Sequence, residues 1–571
     1  MSNDYKLQIK RAILLSSSVV STAVLSCSAA DQLRVTTHES MPPPVQPAAA
    51  RPLVLDMVSH NSGEAPYESA YNDPTVLKAM GYTGKVYHLF DSPTLAITWE
   101  SVDPDIFPKG SPGRAWVDAK AARIKEQHAA CRAAGMATYA MADMILFPKR
   151  LIEKRGIQKT FGDARDPQVQ LLLRAQMAEV FAQFPDLDGL VVRIGETYLH
   201  DAPYHQGSIR NKNSPQETII PLMNLLREEV CVKRDKQLIF RTWLSFDSDS
   251  KVYLKVSEGV EPHPNLVIGI KHCEGDFHRT TPFSRSIGTG RHRQLIEVQC
   301  AREYEGKGAY PNYIAHGVIE GFEEHAQMPS HALNSIRGFV EKHPDLYAGV
   351  WTWTRGGGWG GPYIKNEMWC DVNAWVMAQW AKDPAQSEEA LLNRYATTRM
   401  KLSDEDAKKF RRLCLLSADA VVRGRNSTHG DMSPWWTRDQ GIGWPGVNKD
   451  KAAQTRNLKQ KDESVAMWKE IIALAESIRW ADTSTRDFAV ASTRYGLGLF
   501  EIYRAVVYLA DAEARNDPVA LQSWIHVYDQ AWRDYQKLPA THPAAATLYD
   551  PKYTNHIGNP AYEKVNALRK R

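Results

Sequence analysis

Short apolar runs alternate with amphipathic stretches from residue 51 to about residue 380. Several runs lack polar alternation, which is typical of strands buried on both faces of a sheet. The eight runs are Leu53–His60, Lys85–Phe90, Ala137–Phe147, Gly189–Ile194, Gln237–Leu244, Leu266–His272, Gln294–Gln299 and Tyr347–Thr354. Helical spacing is clearest in Ala115–Ala134, Pro167–Phe184, Gln216–Cys231 and His331–His343. Strands that alternate with helices in this way predict an α/β fold, a (β/α)8 TIM barrel over residues 51–383.

An open, doubly wound parallel sheet is the alternative to a closed barrel. Sheets of that kind that bind nucleotides carry a glycine-rich phosphate loop after an early strand. Neither Gly-x-Gly-x-x-Gly nor Gly-x-x-x-x-Gly-Lys-Ser/Thr follows any early apolar run. The barrel is therefore the favoured fold, and a nucleotide cofactor is not expected.

Residues 384–571 show helical periodicity with little strand signal, which predicts a C-terminal all-α domain. The helical stretches are Ser387–Thr397, Asp404–Ala420, Asp462–Ile478, Asp487–Ala514 and Pro518–Lys537. A polar loop rich in tryptophan and glycine, Asn426–Lys449, interrupts them. These helices could also provide the contact surface of a homodimer.

The first residues resemble a bacterial export signal. Lys6, Lys10 and Arg11 precede the apolar run Ala12–Leu25, which is short for a membrane span. The sequence Val-Leu-Ser-Cys27 resembles a lipobox, so residues 1–27 are predicted to be a lipoprotein signal peptide and residues 28–50 a proline-rich tether. This predicts a lipid-anchored protein of the bacterial periplasm or outer membrane. Ordinary signal cleavage beyond Cys27 is the alternative.

Charge and composition exclude some classes of function. The net charge is only +4, from 70 basic and 66 acidic residues, so nothing indicates a nucleic-acid partner. The six cysteines after Cys27 form no Cys-x-x-Cys pair, and the histidines lack metal-ligand spacing. We therefore expect neither a metal nor another cofactor. Sixteen tryptophans and 23 tyrosines supply flat faces that suit either sugar binding or aromatic cores.

Three carboxylates lie in or directly after predicted strands. Glu196 follows the fourth run, Asp276 follows the sixth, and Glu297 lies within the seventh. Barrel active sites form at the carboxyl ends of strands, and glycoside hydrolysis commonly uses two carboxylates. A carboxylate inside a buried strand must be paired or functional. The alternative is that these groups form ion pairs with arginines in a barrel that only binds its ligand.

The order of motifs from Gly189 to Asn393 resembles glycoside hydrolase family 67, the α-glucuronidases. The motifs are Arg193-Ile-Gly-Glu196, Arg241-Thr-Trp243, Lys271-His-Cys-Glu-Gly-Asp276-Phe-His278, Glu297-Val-Gln299 and Gly349-Val-Trp351. His278 replaces a glutamine of the family pattern. The resemblance implies that Glu196 is the general acid and that Asp276 and Glu297 hold or deprotonate the attacking water. It also implies that Arg193, Arg241 and Lys271 bind the carboxylate of a uronic acid.

Other residues have less specific signals. His60 could hydrogen-bond a sugar hydroxyl at the end of the first strand, and Trp351 could support a sugar ring. Arg193 could equally form a salt bridge with Glu196 or Asp188.

The predicted function is that of an inverting, exo-acting α-glucuronidase or related α-uronidase. It would remove a uronic acid from plant or algal oligosaccharides. A non-catalytic lipoprotein that captures acidic oligosaccharides for uptake is the alternative, because it would need the same cations and aromatic rings. A polysaccharide lyase acting beside a uronate is a third hypothesis.

Overall fold

The computed structural model describes residues 51–58, 68–194, 202–207, 215–243, 245–275, 277–302, 304–326, 332–355, 366–432, 442–538 and 559–570. Residues 1–50, to which the signal peptide and the tether were assigned, lie outside this set. No helix within the described residues is both long and apolar enough to span a membrane.

Eight parallel strands close into a barrel, which confirms the predicted TIM-barrel fold. Each strand pairs with its neighbours in chain order, and the eighth pairs with the first. The barrel strands are β1 Leu53–Val58, β2 Gly84–Tyr87, β3 Ala137–Met144, β4 Gly189–Ile194, β5 Gln237–Arg241, β6 Leu266–Lys271, β7 Arg293–Gln299 and β8 Tyr347–Arg355. A separate antiparallel pair, Leu146–Pro148 with His205–Gly207, lies outside the barrel.

Alternate residues of each barrel strand face two different apolar layers. One set forms a compact cluster inside the barrel, with Leu55, Tyr139, Val191, Ile239 and Leu295 among its members. The other set belongs to the large core shared with the helices, including Val54, Ala140, Val192, Phe240 and Ile296. Because both faces are covered, the strands need no polar alternation, and this is why they appear in the sequence as continuous apolar runs.

The helices surround the barrel and continue past it. They are α1 Pro74–Met80, α2 Pro112–Ala133, α3 Lys149–Lys154, α4 Pro167–Gln183, α5 Pro215–Leu226, α6 Ser245–Ser248, α7 Ser250–Ser257, α8 Ala315–Glu320, α9 Glu323–Ala326, α10 Ile336–Lys342, α11 Met368–Lys382, α12 Glu388–Arg394, α13 Asp404–Arg425, α14 Lys451–Ser477, α15 Thr483–Ala514, α16 Pro518–Tyr535 and α17 Pro560–Leu568. Wider helical turns, Arg227–Val232 and Tyr395–Arg399, extend α5 and α12.

The C-terminal helices share a core with the segment that follows β7. The backbone N–H of Tyr313 donates to Ser417 Oγ at 3.1 Å, and its hydroxyl donates to Glu388 at 2.7 Å. Tyr310 packs edge-on against Trp468 and Phe500. Barrel and helices therefore bury one continuous apolar region, and the boundary at residue 383 stays a prediction.

All six cysteines within the described residues, Cys131, Cys231, Cys273, Cys300, Cys370 and Cys414, are buried and free. The structure therefore contains no disulfide among them.

Candidate active site

Four charged side chains lie inside the barrel, on four successive strands and toward their carboxyl ends. Arg193 is on β4, Arg241 on β5, Lys271 on β6 and Glu297 on β7. Strand alternation puts them on the same inward face as the apolar cluster below, and Lys271 is the register partner of Glu297. The structure therefore brings together four of the residues singled out from the sequence.

Glu297 and Arg241 form a buried bidentate ion pair. Arg241 donates from Nε and from Nη2 to the two carboxylate oxygens of Glu297, each at 2.7 Å. The side chain of Glu297 is fully buried and that of Arg241 is 1% exposed. This pair explains how a carboxylate is accommodated within a buried strand. Both oxygens of Glu297 are engaged, and its action on a water molecule stays a prediction.

Three indole rings surround the guanidinium of Arg241. Its Cζ lies 4.7 Å from the ring centroid of Trp243, 5.1 Å from Trp353 and 5.9 Å from Trp351. Rings at such distances stabilise a buried cation through their negative faces. Trp351 is fully buried, so its ring forms part of the barrel interior, and its contact with a sugar stays a prediction.

The same cluster contains hydrogen-bond donors without acceptors. Arg241 Nη1 and the indole N–H groups of Trp243, Trp351 and Trp353 are buried, and none has an acceptor within the part of the chain that the structure describes. A buried donor left in this state costs about 1–3 kcal/mol. Here four such donor groups lie in neighbouring side chains, and a bound ligand that supplies acceptors is one explanation for them.

Arg193 is held by a partner that the sequence did not identify. Asp143 on β3 is its register partner and accepts two hydrogen bonds from it, at 2.6 Å from Nε and 2.8 Å from Nη2. Asp188, the partner considered from the sequence, instead accepts from the backbone N–H of Thr138 at 2.8 Å. Glu196, the other candidate, lies outside the described residues.

Lys271 is held by a second carboxylate that sequence reasoning missed. Its Nζ donates to Asp247 at 3.2 Å and to the carbonyl of Gly275 at 3.1 Å. The other oxygen of Asp247 accepts from the hydroxyl of Thr242 at 2.9 Å. Lys271 Nζ also lies 4.1 Å from the ring centroid of Trp243, so this indole contacts all three inward cations.

A further buried charge pair lies beside the strand ends of β6 and β7. Arg302 donates to Glu305 at 2.9 Å. Burial by itself would raise the pKa of Glu305, but the charge and hydrogen bonds of Arg302 lower it to about 2. Close to this pair, the ring of His278 stacks on Tyr304 at 5.0 Å.

Three predicted site residues, Glu196, Asp276 and His60, lie outside the described residues. The strands that precede them are described, and β4 ends at Ile194, two positions before Glu196. Their distances from Glu297 are therefore untested, and their roles stay predictions.

Comparison with known proteins shows a distant structural likeness to glycoside hydrolases. No protein-family model and no curated protein matches the chain. A GH138 enzyme targeting pectin rhamnogalacturonan II aligns with a TM-score of 0.56 and 12% identity, over 91% of this chain and 66% of that one. This chain therefore spans just under two thirds of that enzyme. At this identity the likeness shows the fold.

Two other glycosidases align at lower TM-scores. A family 89 glycoside hydrolase from Clostridium perfringens in complex with PUGNAc gives 0.42, with 10% identity over 82% of this chain and 52% of that chain. An O-GlcNAc hydrolase from Thermobaculum terrenum gives 0.38, with 8% identity over 91% and 94% of the two chains. None of these three structures is described as a family 67 enzyme, and that family gains no specific support from them.

Proposed function

We propose that this protein is a glycoside hydrolase that removes a uronic acid from an acidic oligosaccharide, as an α-glucuronidase or related α-uronidase does. The observation that carries the proposal is the inward row of Arg193, Arg241 and Lys271 on three successive strands, beside Glu297. A uronic acid carries a fixed negative charge, and a site that binds it needs cations and N–H donors near the sugar ring. The barrel fold shared with a glycosidase is consistent with this chemistry.

The proposed roles of the three carboxylates are those that the resemblance to family 67 implies. Glu196, just beyond β4, would protonate the leaving oxygen. Asp276, just beyond β6, would activate water on the opposite face of the sugar. Glu297 would act with Asp276, and it also fixes Arg241 through two hydrogen bonds. Inversion requires roughly 6.5–9.5 Å between acid and base.

The substrate is proposed to be a plant or algal glycan fragment with a terminal uronic acid. The GH138 enzyme that shares the fold targets pectin rhamnogalacturonan II, so acidic pectic fragments join glucuronic acid-capped oligosaccharides as the first compounds to test.

A non-catalytic capture protein is the second candidate. The observation that favours it is the engagement of both oxygens of Glu297 by Arg241, which satisfies this carboxylate without chemistry. Such a protein would bind acidic oligosaccharides and leave them intact.

Proton NMR of the reaction mixture tests the proposal. The protein should release a uronic acid whose first-formed anomer is inverted relative to the substrate. Glu196→Gln should lower the rate about 10²- to 10⁴-fold, because the leaving oxygen loses its proton donor. Glu261→Gln is the matched control, since Glu261 is 76% exposed and remote from the barrel interior.

Equal rates for Glu196→Gln and the parent would contradict the acid role. Tight binding of acidic oligosaccharides without any release would favour the capture protein. An unsaturated product that absorbs ultraviolet light would instead indicate a lyase.

A further inference from the structure

The inward cations differ in what they still offer a ligand. Arg193 is engaged by Asp143, and Lys271 by Asp247. Arg241 gives Nε and Nη2 to Glu297, and its Nη1 has no acceptor within the described residues. The ion pair with Glu297 therefore fixes the guanidinium in a position that leaves the Nη1 group, with its two N–H donors, uncommitted.

The uncommitted groups in this cluster are all donors. Besides Arg241 Nη1, they are the indole N–H groups of Trp243, Trp351 and Trp353, each buried and lacking an acceptor in the described part of the chain. An indole N–H can only donate, and so can a guanidinium N–H. Among the described side chains of this cluster, the groups that lack a hydrogen-bond partner are therefore donors that need acceptors.

This requirement distinguishes between ligand groups. A carboxylate offers two oxygens with about four lone-pair positions and has no proton of its own to place. A hydroxyl accepts as well, but it also brings a proton that needs an acceptor of its own. The donors therefore match an anionic, acceptor-only group better than the primary alcohol of a neutral sugar.

We propose that the acidic group of the substrate is recognised by Arg241 Nη1 together with the indole N–H groups, and that Trp243 and Trp353 are the specificity-determining residues. Glu297 is a positioning residue for Arg241 in this arrangement, whereas Arg193 and Lys271, engaged by Asp143 and Asp247, add positive charge beside the site. This inference rests on the proposed function for the nature of the ligand, and it names the residues that distinguish an acidic sugar from a neutral one.

Another tryptophan provides a matched control. Trp468 in α14 is also fully buried, and its indole N–H also lacks an acceptor in the described residues. Its ring packs against Tyr310 and Phe500, away from the inward cations. An unsatisfied indole in this setting belongs to an apolar core, and its replacement should not alter sugar discrimination.

Isothermal titration calorimetry measures this discrimination without hydrolysis. The full chain carrying Glu196→Gln is titrated with glucuronic and galacturonic acid, and with glucose and galactose as neutral counterparts. Trp243→Phe and Trp353→Phe keep an aromatic ring and remove the N–H. Each should weaken binding of the matching acid about 10- to 100-fold, the range for a hydrogen bond to a charged group, and leave the neutral sugars unchanged.

Conservative variants separate hydrogen bonding from packing. Trp243→His and Trp353→His restore a ring N–H and should recover part of the preference for the acid. Trp468→Phe should bind all four sugars as the parent does. Trp243 and Trp353 are both only half-buried as residues, and either pair of variants tests the inference by itself if the other pair fails to fold.

Equal weakening of acidic and neutral sugars by the Phe variants would overturn the inference, and so would an unchanged preference for the acid. Failure of the parent to bind either acid would overturn it as well. The two proposals can also fail separately. If the Phe variants lose the preference for the acid but the protein with Glu196 intact releases no sugar, the inference is supported and the proposed hydrolysis is refuted. If the protein hydrolyses the substrate and the Phe variants keep the preference for the acid, the hydrolysis is supported and the inference is refuted.

Discussion

Replacing Glu297 by glutamine leaves Arg241 as a buried cation without its counter-charge. Both side chains are almost completely enclosed, and two hydrogen bonds of 2.7 Å join them. Removing one partner of a buried ion pair costs about 3–5 kcal/mol, because the remaining charge keeps its desolvation penalty. The three indoles around Arg241 offset part of that penalty, so we expect Glu297→Gln to lower the free energy of unfolding by about 3 kcal/mol.

A double variant separates this penalty from the net contribution of the pair. Arg241→Met with Glu297→Leu removes both charges and leaves apolar side chains of similar length in an interior already lined by tryptophan. Replacing a whole buried pair in this way is often neutral or stabilising. We therefore expect the double variant to be more stable than Glu297→Gln alone.

Equilibrium urea unfolding followed by circular dichroism measures both effects at neutral pH. The exposed pair Arg291–Glu258, with N and O atoms 2.6 Å apart, is the control, because such a pair contributes less than about 1 kcal/mol. If Glu297→Gln costs no more than Glu258→Gln, the pair is hydrated or open in solution and the reasoning fails.

Two further predictions concern the dependence of stability on pH. Burial raises the pKa of Asp56 from 3.8 to about 6, so the folded chain binds this proton more tightly and the unfolding free energy should fall by about 3 kcal/mol as pH rises from about 4 to about 6. Asp56→Asn should abolish that fall in thermal midpoints recorded from pH 4 to 7, and an unchanged profile would contradict the assignment. Burial lowers the pKa of Lys461 from 10.5 to about 7, so the unfolded chain holds the proton at higher pH and the unfolding free energy should rise between about pH 7 and 10. Lys461→Met should remove that rise in urea midpoints. It also removes the donor to the carbonyls of Arg423 and Asn426 and should cost about 1–3 kcal/mol. Parallel pH profiles for parent and variant would refute the pKa assignment.

The barrel could be predicted because each of its strands is covered on both faces. This burial removes polar residues from the strands and makes each one visible as a short apolar run. The predicted ends of the strands were less accurate. The run Lys85–Phe90 is a strand only over Gly84–Tyr87, and Leu89–Asp91 turns into a short 3-10 helix. Burial continues past the last strand hydrogen bond, so hydrophobicity does not mark the end.

The partners of the inward charges could not be predicted to the same extent. Asp143 shares the inward face of β3 with Tyr139 and Met141, which was the available signal, but facing the interior does not identify a partner. The pair with Arg193 depends on the register between β3 and β4, which apolar runs do not specify. Asp247 is harder still to predict as the partner of Lys271, because it follows β5 in a short helix whose orientation depends on tertiary packing.

Several helices were missed, and the longest of them was missed for a related reason. Met368–Lys382 contains five tryptophan or methionine residues that lie in or against the shared core, and it is buried over most of its surface. A helix that is apolar nearly all round has little periodicity, so it is hard to distinguish from other buried segments by pattern alone.

The shared core has a consequence for how this chain is made. In the segment after β7, the backbone N–H of Tyr313 donates to Ser417, which lies 104 positions later in the chain. Trp468 and Phe500, which pack against Tyr310, are synthesised later still. A ribosome that has released all eight strands has therefore not yet supplied the surface that covers Tyr310 and Tyr313. During that interval the nascent barrel exposes aromatic residues that invite aggregation, so timely arrival of the last helices, or protection by a chaperone, governs the yield of folded protein.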